Sequence, residues 1–314
     1  MKPIFNRSSA NPILTPQSMP FSAEAVLNPG ATEHDGEIVL LLRVEGTSGY
    51  SSIHVARSHN GVTDWKIETK PLLKHGEARW RYEKWGCEDA RVTFLPEEGL
   101  YYIAYTAYSP AGAGVALAKT RDFTRAERTG LVMSPNNKDA CLFPQRFGGK
   151  WALLHRPDAG GGVESIWIAY SPDLAHWGYP RCVLPEGSGA AWDALKVGAG
   201  PPPILTKHGW LLLYHGVKGY AGQLIYRVGA ALLDTEKPHK VIARSPRAIF
   251  KASELYESTG LIPNVVFPTG MVLRGEELWI YYGAADTCVC LATVGLQDVL
   301  NTLEEEPERA RETT

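Results

Sequence analysis

Short runs of aliphatic and aromatic residues recur along the chain, and Gly, Asp or Glu residues typical of turns lie close to each of them. The five clearest runs are residues 38–42, 101–105, 151–155, 210–214 and 278–282. Apolar runs of this length bounded by turn residues predict buried β-strands. The 31 Gly and 22 Pro are spread over the whole length, which makes long helices improbable. The pattern therefore predicts an all-β protein.

A second strand-like segment follows each apolar run, at residues 53–58, 115–120, 166–171, 228–234 and 289–293. The paired units recur about every 50 to 70 residues, which suits four-stranded blades with long loops. Five units predict one five-bladed β-propeller domain over residues 1–314, and a β-sandwich with irregular loops is the alternative. The tail, about residues 299–314, is predicted to form a short charged helix with a frayed end.

Composition narrows the classes of function. The chain has 32 basic and 34 acidic residues, so it lacks the basic excess of a nucleic-acid-binding protein. No apolar run is long enough for a signal peptide or a membrane span. Five scattered cysteines suit reduced thiols, and the pair at Cys288 and Cys290 lacks the partners of a zinc site. We expect a cytoplasmic protein with no metal and no membrane or nucleic-acid partner.

Polar or titratable residues follow several of the apolar runs at a similar place in the repeat. Arg43 follows the first run, and His215 follows the fourth. His155 ends the third run and Arg156 comes directly after it, while Asp286 follows the fifth run. If these runs are the inner strands of a propeller, closing the fold aims the polar groups at one pocket. Taken singly, such a residue is more often a hydrogen-bonded structural group, but the repeated placement favours a site.

Residues 85–91 carry the sharpest chemical signal, because Glu88 and Asp89 lie close to Arg91 just before a predicted strand. Neighbouring residues on a strand point to opposite faces, so only one of the two acids is expected to face the channel. That acid can be catalytic while the other pairs with an Arg. The alternative is a surface ion-pair cluster that contributes little, and these residues alone leave both interpretations open.

The motif Glu88-Asp89-Ala90-Arg91 resembles the Glu-Asp-(Pro/Ala)-Arg motif of glycoside hydrolase family 130, the inverting β-mannoside phosphorylases. The similarity extends in order from about residue 11 to about residue 299. Further matching segments are residues 21–30, 42–44, 138–144, 155–157, 196–203, 209–217 and 283–286. The resemblance implies a five-bladed propeller. Ala90 stands where Pro is commoner, which leaves the backbone beside Asp89 less fixed.

The resemblance also implies roles for individual residues. Asp89 matches the single catalytic acid of the family, which is thought to protonate the leaving oxygen through the 3-hydroxyl of the sugar. The implied phosphate-binding residues are Arg156, Lys196 and His215, with Tyr226 as a weaker candidate. The implied substrate-binding residues are Asn28, Arg43, Asp139 and Asp286.

Phosphate is already an anionic nucleophile, so a phosphorylase needs a cationic cradle in place of the second carboxylate that inverting hydrolysis requires. We therefore expect a glycosyltransferase-type phosphorolysis of terminal β-mannosides in β-manno-oligosaccharides, giving α-mannose 1-phosphate. Inorganic phosphate is the co-substrate and no other cofactor is expected. The alternative is an inverting β-mannosidase that uses water, because Asp139 and Asp286 remain candidates for a second carboxylate.

Two further alternatives fit less well. A furanosidase-type propeller needs three separated carboxylates and an early Trp-Asn-Asp-type motif that this chain lacks. A lectin-like module needs aromatic platforms more than a cationic cradle. Trp80, Tyr82 and Trp85 precede Asp89 and are interpreted as packing between blades, with an acceptor-site platform as the other interpretation. The resemblance makes a homo-oligomer an expectation.

Overall fold

The computed structural model describes residues 3–158, 160 and 164–305. The strands of the first half are β1 (Asn6–Arg7), β2 (Ala25–His34), β3 (Glu37–Glu45), β4 (Ser51–Ser58), β5 (Lys66–Ile67), β6 (Gly86–Leu95), β7 (Leu100–Ser109), β8 (Gly112–Thr120), β9 (Glu127–Met133), β10 (Asn137–Phe147) and β11 (Lys150–Pro157). Those of the second half are β12 (Ile166–Ser171), β13 (Gly178–Leu184), β14 (Lys196–Ala199), β15 (Ile204–Thr206), β16 (Gly209–Tyr220), β17 (Gln223–Leu233), β18 (Val241–Arg244), β19 (Phe250–Lys251), β20 (Val266–Arg274), β21 (Glu277–Ala284), β22 (Cys288–Gly295) and β23 (Glu304–Glu305).

Helices are few and short. The α-helices in the described residues are α1 (Leu255–Ser258) and α2 (Leu296–Leu300), and single 3₁₀ turns lie at Pro16–Ser18 and Arg81–Glu83. Within the described ranges no helix is long and apolar enough to cross a membrane. The protein is thus all-β, as its apolar pattern predicts.

The strands form antiparallel groups in chain order: β2–β5, β6–β9, β10–β13, β14–β19 and β20–β22. Strand β1 pairs with β22, so the beginning of the chain completes the last group. A single parallel bridge between Ser51 and Gly86 joins the first two groups into one sheet. The described strands form no closed sheet.

The first strands of the groups lie side by side. Strand β2 contacts both β20 and β6, β6 contacts β10, and β10 contacts β14. Apolar side chains fill the spaces between neighbouring groups; for example, Tyr102 and Leu117 pack against Trp151 and Leu153. Burial on both faces explains why β3, β7, β11, β16 and β21 read as continuous apolar runs.

The ten predicted strand segments all lie in strands, but the apolar runs are the second strands of their groups rather than the innermost ones. The innermost strands are β2, β6, β10, β14 and β20, none of which is among the ten segments, although the strand predicted to follow residues 85–91 lies in β6. A β-bulge interrupts four of them, between Leu27 and Gly30 in β2 and at matching places in β6, β10 and β20. The extra residue of a bulge locally re-aims the side chains of its strand.

Three of these bulges hold a polar residue in the left-handed region: Asn28 (φ 44°), Asp89 (φ 51°) and Asp139 (φ 51°). Asn and Asp tolerate this conformation better than other residues with a side chain. The same local sequence choice thus makes the bulge and sets a polar group on three neighbouring central strands.

The prediction of a charged helix in residues 299–314 is wrong in position. The helix runs from Leu296 to Leu300 because Val299 is fully buried in the core and holds it there. The chain then extends, and β23 pairs with β18. Residues 306–314 lie outside the described residues.

Candidate active site

The carboxylate of Asp89, on β6, is held by side chains from β2 and β3, and 7% of the residue is exposed. Asn28 Nδ2 donates to Asp89 Oδ1 at 2.9 Å, and Arg43 Nη1 donates to the same oxygen at 3.2 Å. No hydrogen bond from the described residues goes to Oδ2. One oxygen is therefore fixed as an acceptor, and the other remains for a ligand.

Glu88 lies on the same side as Asp89, which corrects the expectation that the two acids face opposite ways. Arg43 Nη2 is 3.2 Å from Glu88 Oε1 while its Nη1 contacts Asp89. Alternation fails because the left-handed Asp89 forms the bulge between Glu88 and Arg91. Burial alone would lower the pKa of Arg43, but the negative charges of Asp89 and Glu88 have the larger combined effect and raise this pKa.

Asp286 joins this group from the turn after β21. Ala285 and Asp286 both have positive φ, and Thr287 donates its backbone N–H to Ala284 O, as in a type I′ turn. Burial and the negative charge of Asp89 raise the pKa of Asp286 to about 6. The structure thus brings together Asn28, Arg43, Asp89 and Asp286, as predicted from the chain.

Asp139 is the centre of a second cluster, and only 1% of it is exposed. Its Oδ2 is 2.7 Å from Arg156 Nη1 and 3.5 Å from His215 Nε2, and its Oδ1 is 3.3 Å from Arg91 Nη2. Burial alone would raise the pKa of Asp139, but the charges of Arg156 and Arg91 hold it well below its usual value.

Glu164 lies between Arg156, which belongs to this cluster, and Lys196. Its Oε2 is 2.7 Å from Arg156 Nε, and its Oε1 is 3.8 Å from Lys196 Nζ. Burial lowers the pKa of Lys196. Among the described residues, Arg91, Arg156 and Lys196 thus pair with two carboxylates, those of Asp139 and Glu164, which leaves a net positive charge.

His215 and Tyr226 complete the second cluster. The side chain of His215 is fully buried, and its Nε2 lies 3.0 Å from Arg156 Nη1. Burial holds the pKa of His215 well below its usual value, so Nε2 of the neutral ring accepts that bond. The ring of Tyr226 lies 6.0 Å from that of His215, and burial raises the pKa of Tyr226 to about 12.

Arg91 joins the two clusters. Its Nη1 donates to the backbone carbonyl of Asp89 at 2.7 Å, and its Nη2 reaches Asp139. The guanidinium therefore contacts the backbone of Asp89 and not its carboxylate. One buried side chain fixes the strand that carries Asp89 against the strand that carries Asp139.

His155, in contrast, stays outside both clusters. Its Nδ1 lies 3.1 Å from Asn137 Oδ1, and burial lowers its pKa to about 4.

The interpretation of Trp80, Tyr82 and Trp85 as packing between blades is wrong: Tyr82 is 48% exposed, and the other two are half-buried. In the part of the chain that the structure describes, no group of His, Cys, Asp and Glu could hold a metal ion.

Residues 2–305 match the family model of glycoside hydrolase family 130, described as beta-1,4-mannooligosaccharide phosphorylase. The chain belongs to glycoside hydrolase family 130. It is 34% identical to a 1,2-beta-oligomannan phosphorylase of Thermoanaerobacter sp. (strain X514) over 306 residues, which cover 93% of this chain and 98% of the relative. A beta-1,4-mannooligosaccharide phosphorylase of Ruminococcus albus is 30% identical over 96% of this chain and 91% of the relative.

Solved structures of the same family have the same fold. The beta-1,2-mannobiose phosphorylase of Listeria innocua, in complex with beta-1,2-mannobiose, superimposes with a TM-score of 0.88 at 30% identity, covering 96% of this chain and 99% of that one. A second structure, with a TM-score of 0.82 and 27% identity, covers 93% of this chain and 94% of that one. It was reported with family members that are hydrolases targeting β-1,2 mannosidic linkages in Candida mannan.

Sequence reasoning missed several residues of this family 130 site. Glu164, which pairs with both cations, lies in a segment without a strand or motif signal. Lys138 is exposed, and its charge acts on Glu88, Asp139, Lys196 and Asp286. In the sequence, the signal for Lys138 is its position directly before Asp139. In the structure, both residues lie on β10, which pairs with β11, the strand of Arg156.

Proposed function

We propose that this protein phosphorolyses the terminal β-mannosidic bond of β-manno-oligosaccharides with inversion, giving α-mannose 1-phosphate and the shortened sugar. The observation that carries the proposal is the pairing of two features. Asp89 has one oxygen, Oδ2, that receives no hydrogen bond from the described residues, and the cation cluster of Arg91, Arg156 and Lys196 lies near carboxylates that are already engaged. The names of the mannoside phosphorylases at 30 to 34% identity agree with it.

The cation cluster favours phosphate over water as the nucleophile. Arg156 and Lys196 offer positive charge that the ion pairs with Asp139 and Glu164 do not fully neutralise. Such charge stabilises a bound phosphate and lowers the basicity of a nearby carboxylate, the opposite of what a water-activating base needs. Asp139 is sealed from solvent and held ionised, so it is poorly placed to accept a proton from water.

Two residues take positioning roles in this proposal because their polar atoms are engaged with Arg156. Nε2 of His215 accepts a hydrogen bond from Arg156 Nη1, so His215 orients that guanidinium. Asp139 acts in the same way on Arg156 and on Arg91. Tyr226 is partly exposed beside the cluster and can donate its hydroxyl hydrogen to a phosphate oxygen.

A phosphate oxygen forms a bond to the anomeric carbon from the α face while the β-glycosidic C–O bond breaks. The departing oxygen receives a proton from the 3-hydroxyl of the mannosyl unit, which in turn receives one from Asp89. Asn28 and Arg43 both donate to Oδ1, so the proton is expected on Oδ2. Asp286 and Arg43 lie beside Asp89, where they can bind the mannosyl hydroxyls.

Hydrolysis on the same fold is the second candidate, because a structural relative was reported with family members that cleave mannosides with water. In that case Asp286, with its raised pKa, is the carboxylate that could serve as a base. Its place beside Asp89 disfavours the role, since inversion needs acid and base on opposite faces of the sugar.

The test is phosphorolysis of β-mannobiose, in its 1,2- and 1,4-linked forms, followed by ³¹P NMR for α-mannose 1-phosphate. Replacing Lys196 by Met removes one charged contact to phosphate, worth about 1.5 to 3 kcal/mol, so the KM for phosphate should rise about 10- to 100-fold. Lys240→Met, at an exposed position on the loop before β18, is the control. An unchanged KM for phosphate in Lys196→Met would place the nucleophile elsewhere.

The architecture that accompanies this proposal is a single five-bladed propeller domain over residues 1–314. Five strand groups in chain order, with β20 beside β2, support the blade count. We also propose a cytoplasmic protein that uses no cofactor other than phosphate, and a homo-oligomer. Free thiols at all five cysteines are compatible with the cytoplasmic location.

A further inference from the structure

A groove of about 510 Å³ lies beside the candidate active site, between the 3₁₀ turn that precedes β6 and the hairpin that joins β7 to β8. Residues 76–84 form one wall and residues 109–111 form the other. The mechanism above uses none of these residues.

Aromatic rings dominate the groove and its rim. Trp80 and Tyr82 line it, and Tyr82 is 48% exposed. Trp85 and Tyr108 flank it with their rings 5.5 Å apart, and Tyr108 is 39% exposed. Aromatic side chains combine an apolar face with a polar tip, which suits the C–H faces and hydroxyl edges of sugar rings.

The groove is continuous with the strand that carries Asp89. Trp85 directly follows the groove residue Lys84, and the backbone N–H of Trp85 donates to the backbone carbonyl of Tyr108. Asp89 lies four positions after Trp85, which is about 13 Å of extended chain. A sugar bound at Asp89 must therefore extend by more than one further unit to reach the groove.

The walls of the groove are fixed by buried contacts. Glu83, within the wall, accepts hydrogen bonds from Arg128 Nε at 2.8 Å and from Tyr105 Oη at 2.5 Å. The guanidinium of Arg128 also lies 5.7 Å from the ring of Trp80. A preformed wall lowers the ordering cost of binding.

The charges in the groove fit a neutral ligand. Its lining holds one acidic side chain, Glu77, and two basic ones, Arg81 and Lys84. Mixed charges offer hydrogen bonds to hydroxyl groups without the single-sign field that selects an ion.

We propose that this groove binds the distal, reducing-end units of a manno-oligosaccharide whose terminal unit lies at Asp89. The proposal rests on the proposed function, and it makes the protein selective for chain length. A disaccharide ends before the groove, whereas a tetra- or pentasaccharide gains the aromatic contacts.

The experiment compares kcat/KM for β-mannobiose and for the pentasaccharide, in both linkages, among wild type and three variants. Tyr82→Ala removes the exposed ring, and Ala111→Trp fills the groove from the opposite wall. Tyr179→Ala, at a 72% exposed tyrosine on β13, is the matched control. The first two should lower kcat/KM for the pentasaccharide about tenfold, or about 1.4 kcal/mol. They should leave the disaccharide within about twofold, as usual for surface substitutions.

Equal effects on both chain lengths, or no effect of either groove variant, would overturn the proposal. Calorimetric titration of the pentasaccharide without phosphate separates it from the proposed function. If no α-mannose 1-phosphate forms but binding still weakens in Tyr82→Ala and Ala111→Trp, the groove stands and phosphorolysis fails. If the variants bind the pentasaccharide as wild type does, the groove has no such role.

Discussion

Replacing Asp139 by Asn keeps the shape of a buried side chain and removes the charge that holds two arginines together. The carboxylate is 2.7 Å from Arg156 and 3.3 Å from Arg91, and 1% of the residue is exposed. Breaking a buried ion pair by removing one partner typically costs about 3 to 5 kcal/mol, because the remaining charge stays buried.

The structure places the cost at the lower end of that range. Arg156 keeps its contact with Glu164, and Arg91 keeps hydrogen bonds to the carbonyls of Asp89 and Ala199. We therefore expect a loss of about 3 kcal/mol. With roughly 2.1 cal/mol/K of unfolding entropy per residue over the whole chain, that loss lowers Tm by about 5 °C.

The pH dependence of this loss follows from the pKa of Asp139. Because the folded-state pKa lies below the unfolded value of about 3.9, the stabilising contribution is fully present above about pH 5. It is lost as the pH falls below the unfolded value toward the folded one. The difference in Tm between wild type and variant should therefore be constant from about pH 5 to 8 and should shrink below about pH 4.

The assay is thermal unfolding followed by circular dichroism across this pH range. Asp35→Asn is a matched control, because Asp35 has nearly the same φ, 50° against 51°, but its side chain is exposed. A Tm for Asp139→Asn within about 1 °C of that control would refute the reasoning. So would a Tm difference that persists unchanged at about pH 3.

Two further predictions concern the Asp89 group. A methyl group at Gly283 would collide with Asn28 Oδ1 and displace its donor from Asp89, so Gly283→Ala should lower kcat/KM about 10- to 100-fold, as for a lost bond to a charged group. Gly178→Ala, where nothing lies within 4 Å, should be neutral, and equal effects of the two would contradict this. Asp286 should titrate with a pKa of about 6, and Asp89→Asn should lower that pKa because a neighbouring negative charge is removed. Carboxyl ¹³C NMR measures it, and an unchanged pKa would show that the two groups do not interact.

The strands could be predicted from the chain because their signal is local. Residues 151–154 and 210–214 are buried on both faces and are apolar without interruption. The central strands carry no such run, because Asn28, Asp89 and Asp139 interrupt them at bulges. The sequence signal of the central strands is an Asn or Asp, which tolerates positive φ, inside a strand. A search for alternating apolar and polar residues misses such a strand because the bulge breaks the alternation.

The site could be predicted where a motif marks it and not where distant segments meet. Asp89, Lys196 and His215 were found through the resemblance of their segments to family 130. The hydrogen bond from Asn28 to Asp89 joins two residues that are 61 positions apart in the chain, so no local sequence pattern specifies it. Glu164 was missed for the same reason, because its importance comes only from its contacts with Arg156 and Lys196.

The most direct test of the central claim traces oxygen. The protein is incubated with β-mannobiose and fully ¹⁸O-labelled phosphate in unlabelled water, and the products are analysed by mass spectrometry. Phosphorolysis predicts α-mannose 1-phosphate that retains every labelled phosphate oxygen, including the one bonded to the anomeric carbon, and product formation that stops when phosphate is withheld. Free mannose with a solvent oxygen at the anomeric carbon, formed at the same rate without phosphate, would contradict the account.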